Sequence, residues 1–198
     1  MAEETIWKDV KLYTIGHSTR SAQEFLSLLH KFGVEVVGDI RSYPSSRKFP
    51  HFNRDTLERA LREHGIRYLW FKELGGRRHG PPAPTSPNIG LRSPAFRNYA
   101  DHMLTAEFRT TVQRLLEVAR EEMTAVMCAE RFYWRCHRRL LSDYLSAQGA
   151  EVVHIEGLAN AYPHTLARGA IITPAGAVIY ALADIAQLDF GQLKSARG

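Results

Sequence analysis

Apolar positions along this chain switch repeatedly between two spacings. In "KLYTIGHS" (11–18), "VEVVGDIRS" (34–42), "MTAVMCAE" (123–130) and "AEVVHIEG" (150–157) they form short apolar runs that read as buried strands. "IRYLWFKELGG" (66–76) begins the same way and ends in a glycine turn. Between these runs the spacing becomes helical. "SAQEFLSLLHKFG" (21–33) puts Phe25, Leu28, Leu29 and Phe32 on one face, with Ser21 and Glu24 as a capping box and Gly33 as the stop. "NRDTLERALREHG" (53–65) is a second helix closed by glycine, and Phe49 or Phe52 ahead of it suits a hydrophobic staple. "AFRNYADHMLTAEFRTTVQRLLEVAREE" (95–122) predicts helix broken near Thr105. "CHRRLLSDYLSAQG" (136–149) predicts a further helix with Leu140, Leu141, Tyr144 and Leu145 inward.

Five strands alternating with helices predict an α/β fold: a single domain with a mostly parallel five-stranded sheet flanked by helices. "GAIITPAGAVIY" (169–180) has two β-rich runs around Pro-Ala-Gly and predicts a small C-terminal β-hairpin. The core is placed at about 11–157 and a C-terminal appendage at about 158–198. "RRHGPPAPTSPNIGLRSP" (77–94) is too rich in proline and glycine for regular structure. It is either a disordered insert or a loop ordered over a site. No internal repeat is visible.

This alternation has a functional consequence, because open parallel sheets bind ligands at the carboxyl ends of their strands. Polar residues collect there. The first strand ends in His17, Ser18 and Thr19, and the second in Asp39, Arg41 and Ser42. The fourth ends in Cys128 and Glu130, and the fifth in His154 and Glu156. A shared site at this edge is the expectation. His154 reads as a satisfied structural histidine.

The same residues carry a family resemblance. "TIGHST" (14–19), "DIRSYPSS" (39–46), "LGG" (74–76), "CAE" (128–130), "CHRRLL" (136–141) and "VVHI" (152–155) together resemble the DUF488 family over about residues 11–157. The resemblance implies the fold and the site but names no reaction. Members often carry an acidic residue and a proline between the Cys-x-Glu and Cys-His-Arg elements. Here that stretch is "RFYWR", which is more aromatic and more basic.

Composition narrows the partners. The 198 residues are 44% apolar, enough for one ordinary domain, and the apolar runs are too short for a transmembrane helix. "MAEETIWKDV" lacks a signal-type apolar region, so a cytoplasmic protein with no membrane partner and both cysteines as thiols is expected. The net charge of +5 suits nucleic acid or another phosphorylated ligand, and equally suits a mildly basic enzyme. Arginines cluster in "GGRRHG" (75–80) and "WRCHRR" (134–139).

Both cysteines fall in "CAERFYWRCHR" (128–138). The Cys-x-x-Cys spacing of thioredoxin-like redox pairs is absent, so bridging requires that the strand end and helix start lie close. Zinc is disfavoured, because adjacent Cys136 and His137 diverge on a helix. No metal and no cofactor is expected. An anion pocket fits better. The helix start at Cys136 offers unpaired amides, with Arg41, Arg131 and Arg138 as candidate phosphate ligands. Cys128 is either a thiolate nucleophile facing that helix start or a small packing residue. Asp39 and Glu130 either split acid and base roles or orient arginines, and His17 is either a proton shuttle or a cap. Tyr133 and Trp134, interleaved with arginine, suit stacking on bases.

The leading expectation is therefore an enzyme acting on nucleic acid or a nucleotide, hydrolytic in the manner of base removal during DNA repair. In it Asp39, Glu130, Cys128 and His17 act in catalysis. Ser18, Thr19, Arg41, Ser42, Tyr133, Trp134, Cys136, His137 and Arg138 hold the substrate. Two alternatives stand beside it. One is an enzyme for a small phosphorylated substrate with Cys128 as nucleophile, and the other a non-catalytic nucleic-acid-binding module.

Overall fold

The computed structural model of the chain describes residues 7–182. The strands are β1 (Lys11–Gly16), β2 (Val36–Asp39), β3 (Arg67–Trp70), β4 (Thr124–Cys128), β5 (Glu151–Ile155), β6 (Ala161–Pro163), β7 (Ile171–Ile172) and β8 (Val178–Ile179). The helices are α1 (Ala22–Lys31), α2 (Arg54–Glu63), α3 (Pro94–Met103), α4 (Ala106–Glu121) and α5 (Arg138–Ala147). One mixed sheet has the order β3-β2-β4-β1-β5-β6, and β7 and β8 pair as a separate hairpin. The first five strands of that order are mutually parallel, as the alternation predicts. The sixth is an addition to the five expected. β6 runs antiparallel to β5, pairing His154 with Tyr162.

The central strands are rich in apolar residues because both faces of the sheet are covered. Every residue of β2 and of β4 is buried. Their side chains alternate between two cores. Ala125 and Met127 join Ile15, Val37 and the inward residues of α1 and α2, Phe25, Leu28, Leu29, Leu57 and Leu61. Val126 and Cys128 join Leu12 and the inward residues of α3, α4 and α5, among them Tyr99, Phe108, Leu115 and Leu140. Each such large side chain contributes about 1.5–3 kcal/mol of burial.

Local signals act where the sequence puts them. Ser21 and Glu24 form the reciprocal capping box of α1. Thr105 caps α4, its hydroxyl accepting from the Phe108 amide, and so separates α3 from α4. Phe52, just ahead of the α2 cap Asn53, shares one core with Leu57, as a staple requires.

The C-terminal residues described are built into the body. Val178 and Tyr180 belong to the larger core. Residues 77–94 are irregular but tied down. The fully buried Asn88 donates to Asp101 and accepts the amide of Tyr180, while the Gly90 amide donates to the Tyr180 carbonyl. No helix among the described residues is long and apolar enough to cross a membrane. Residues 1–6 and 183–198, which include part of the N-terminal segment and of the appendage, lie outside the described residues.

The topology fixes where a site can form. β1 and β4 are neighbours, yet the chain leaves β1 for α1 on one face and leaves β4 for α5 on the other. Their carboxyl ends therefore part and leave a crevice, the preferred ligand position of such sheets.

Candidate functional site

A cleft of about 970 Å³ opens at that crevice. It is lined by His17, Ser18 and Thr19 after β1, by Arg41 and Ser42 after β2, and by Cys128, Glu130, Cys136 and His137 between β4 and α5. Nine of the thirteen residues expected from the sequence thus meet in one place. Glycines permit the approach. A Cβ on Gly16 would overlap the backbone of Glu130, and one on Gly76 would overlap the ring of His137. The β4–α5 segment can therefore lie directly on the end of β1.

The other four expected residues are elsewhere. Asp39 is fully buried and does not reach the cleft. Its carboxylate accepts from the Arg41 amide at 2.9 Å, the Arg41 guanidinium at 2.6 Å and the Tyr68 hydroxyl at 2.7 Å. Arg41 is correspondingly occupied, also donating to the Phe52 carbonyl at 2.8 Å. Asp39 orients Arg41, and the expected partnership of Asp39 with Glu130 across a substrate has no geometric basis.

Arg138 is only 1% exposed. It donates to the carbonyls of Glu130 and Arg131 and reaches Thr14 Oγ1 at 3.5 Å. It clamps the β4–α5 loop and does not offer itself to phosphate. Tyr133 lies flat on His154, with centroids 3.5 Å apart, and so has no open face there. Trp134 stacks on Phe132 and is 43% exposed, outside the cleft.

His17 is enclosed, stacked on Phe52 at 4.2 Å. Its Nδ1 lies 3.1 Å from the Ser18 carbonyl, and Nε2 lies 3.4 Å from Arg41 Nη1. Burial and the Arg41 charge bring its pKa down to about 4. The ring is neutral at pH 7, with Nδ1–H donating to the carbonyl and Nε2 accepting from Arg41.

The two cysteines, eight positions apart, are in direct contact, with sulfurs 2.8 Å apart. The separation of strand end and helix start, which the sequence leaves open, is therefore small. Cys128 is enclosed by the core, and burial together with its hydrogen bond to Cys136 raises its pKa. Cys136 differs. Burial alone would raise it, but the hydrogen bond from Cys128, the charge of Arg138 and the Arg138 amide bring it down to about 7. That amide, 3.5 Å from Cys136 Sγ, belongs to the first residue of α5. The cap residue His137 makes no side-chain capping bond, and the Cys136 sulfur, one residue ahead of it, accepts from the first helical amide instead. The positive helix end adds to the same effect. His137 Nδ1 is 3.3 Å away. The sequence leaves Cys128 either a thiolate or a packing residue; the local hydrogen bonds favour Cys136 as the thiolate.

Behind Arg138 runs a buried chain of polar groups. Thr14 Oγ1 lies 2.7 Å from His154 Nδ1, His154 Nε2 lies 2.9 Å from His164 Nδ1, and His164 Nε2 lies 2.8 Å from Asp143. Asp143 also accepts from the Tyr180 hydroxyl at 2.6 Å. One assignment of protons satisfies every link, each group donating toward Asp143. His154 is the satisfied structural histidine expected from the sequence.

Further residues line the cleft. Phe49, a staple candidate in the sequence, is one, and Lys48, Arg77, Phe96 and Arg135 are others that were not assigned to the site. Arg77 and Arg135 belong to the two arginine clusters, which were the available signal. Lys48, Arg77 and Arg135 are exposed, and Glu130 is the one carboxylate among the lining residues, so the cleft has a positive rim. Arg77 lies over the exposed ring of Tyr43 at 5.6 Å. Among the described residues, no group of three or more histidine, cysteine, aspartate or glutamate side chains is arranged to hold a metal.

Fold and site together define an α/β protein with a thiol pair in a basic cleft at its topological switch point. A family model described as a domain of unknown function, DUF488, matches residues 21–145. The match covers more than half of the 198 residues, and the chain belongs to that family. The matched span contains both cysteines, Asp39, Arg41 and Arg138. Comparison with curated proteins and with solved structures gives no match.

Proposed function

We propose that this protein is an enzyme acting on a phosphate-bearing substrate, a nucleotide or a nucleic-acid segment, with the thiolate of Cys136 as its nucleophile. The observation that carries the reading is the contact between Cys128 and Cys136 on the cleft wall, beside the first amide of α5. At a pKa of about 7, roughly half of Cys136 is thiolate at neutral pH. Lys48, Arg77 and Arg135 supply the attraction for phosphate. Tyr43, 61% exposed beside Arg77, supplies a face for a base.

The carboxylate route to base removal has less support, because only Glu130 of the expected pair reaches the cleft. A non-catalytic binding module would use the same basic rim and would not need a lowered thiol pKa.

Alkylation of the reduced protein with iodoacetamide between pH 5.5 and 9 tests the reading. Cys136 labels with a midpoint near 7, Cys128 does not label, and nucleotides or short single-stranded oligonucleotides slow the reaction. Nucleotides, RNA, and single-stranded and damaged duplex DNA are then screened for turnover at low and high salt. Turnover that Cys136→Ser abolishes supports the proposal. A Cys136 no more reactive than an ordinary thiol, or turnover indifferent to its loss, overturns it.

A further inference from the structure

We propose that Cys128 and Cys136 form a reversible internal disulfide, so that peroxide switches this cleft off and small thiols restore it. The proposal rests on the same Cys136 thiolate as the proposed function but needs no substrate.

The geometry is already close to the product. The sulfurs are 2.8 Å apart, against about 2.05 Å in a disulfide, so they close by less than ~1 Å. Both cysteines line the cleft, which gives a molecule the size of peroxide a route to them. The seven-residue spacer does the work that a two-residue spacer does in thioredoxin-like pairs. The β4–α5 loop folds over Gly16, is clamped by Arg138, and returns Cys136 to the end of the strand it left.

The chemistry balances with hydrogen peroxide as oxidant. The Cys136 sulfur attacks one peroxide oxygen, the O–O bond breaks, and hydroxide leaves a sulfenic acid on Cys136. The Cys128 sulfur then attacks the Cys136 sulfur and the S–O bond breaks. The Cys128 thiol proton joins the departing hydroxide as water. In sum two thiols lose two electrons and two protons, and one peroxide becomes two waters. Two equivalents of a small thiol reverse the step by exchange. The Arg138 amide and His137 Nδ1, 3.5 and 3.3 Å from Cys136 Sγ, stand on the attacking sulfur. Cys128, already in contact, intercepts the sulfenic acid before further oxidation.

The test is made on the full chain. Reduced protein is treated with a few equivalents of hydrogen peroxide, denatured in N-ethylmaleimide and weighed intact. The expected product is a monomer lighter by two hydrogens that takes up no maleimide, and dithiothreitol returns both alkylation sites. Cys128→Ser is expected to stop at a sulfenic acid on Cys136, trapped by dimedone. Oxidation of Cys136 to sulfinic acid in the parent protein with Cys128 still alkylated overturns the proposal. So does a disulfide found only between two copies on non-reducing electrophoresis. A disulfide that forms while nucleotides fail to protect Cys136 from iodoacetamide refutes the proposed function alone. Protection without a disulfide refutes the switch alone.

Discussion

Asp39→Asn separates a structural carboxylate from a catalytic one. The change keeps the shape of the side chain and removes its charge. Asp39 has no exposed surface, and Arg41 is 6% exposed, so neither charge is offset by water. The wild-type carboxylate receives the Arg41 amide, two Arg41 guanidinium nitrogens and the Tyr68 hydroxyl. An asparagine accepts at one atom only and turns an NH2 toward donors. Breaking a buried pair from one side costs ~3–5 kcal/mol. In a chain of this size that corresponds to a fall in Tm of about 6–20 °C. Urea unfolding followed by circular dichroism measures it. The double variant Asp39→Asn/Arg41→Met is expected to recover part of the loss, because no charge is then left alone. Asp39→Asn within about 1 kcal/mol of the parent, or a double variant no more stable than the single, refutes the assignment. An Asp39→Asn protein of parental stability but without turnover would return Asp39 to the catalytic role the sequence suggests.

Acid should destabilise the fold through its buried histidines. Burial, with Arg41 acting on His17 and with His164 and Arg138 acting on His154, lowers their pKa values to about 4 and about 3. The unfolded chain takes up these protons near 6.5 while the folded rings stay neutral, so stability is full above that pH and falls below it. The loss is roughly 1.4 kcal/mol per pH unit for each histidine down to its folded value, read from urea unfolding at pH 7, 6 and 5. Gly76→Ala places a methyl into the ring of His137 and should cost about 1–3 kcal/mol while slowing alkylation of Cys136. Unchanged alkylation would show that His137 does not position the thiol. Tyr180→Phe removes one of the donors that Asp143 collects and should cost about 1–3 kcal/mol in the same unfolding assay.

Much of the fold was written locally. β2 and β4 are buried along their whole length and carry no alternating polar side, because a sheet covered on both faces needs none, and that pattern survives in the sequence. Ser21, Glu24 and Thr105 set helix boundaries through bonds to amides three residues away. β6 had no such signal. It is three residues ending in proline, and only the edge of β5 makes it a strand. The site divides along the same line. Strand-end position was enough to gather His17, Arg41, Cys128 and their neighbours. It did not reveal which charges were already spent. Asp39 is sealed by Tyr68, 29 residues away, and Arg138 is held partly by Thr14, 124 away. An arginine reads the same in sequence whether it waits for phosphate or holds a carbonyl. The sulfur contact was hidden for a related reason. It depends on the path of the β4–α5 loop across Gly16, a glycine more than a hundred residues upstream.

The tie between Asn88 and Tyr180 bears on how the protein is made. Arg77 and Phe96 stand on the cleft wall at either end of the irregular segment, and Asn88 anchors the stretch between them to a residue 92 positions downstream. During synthesis at about 5–20 residues per second, the sheet strands through β4 emerge several seconds before residue 180 does. The strands and helix that carry the two thiols are therefore made before the last bonds of this wall, those of Asn88 and Gly90 to Tyr180, can form.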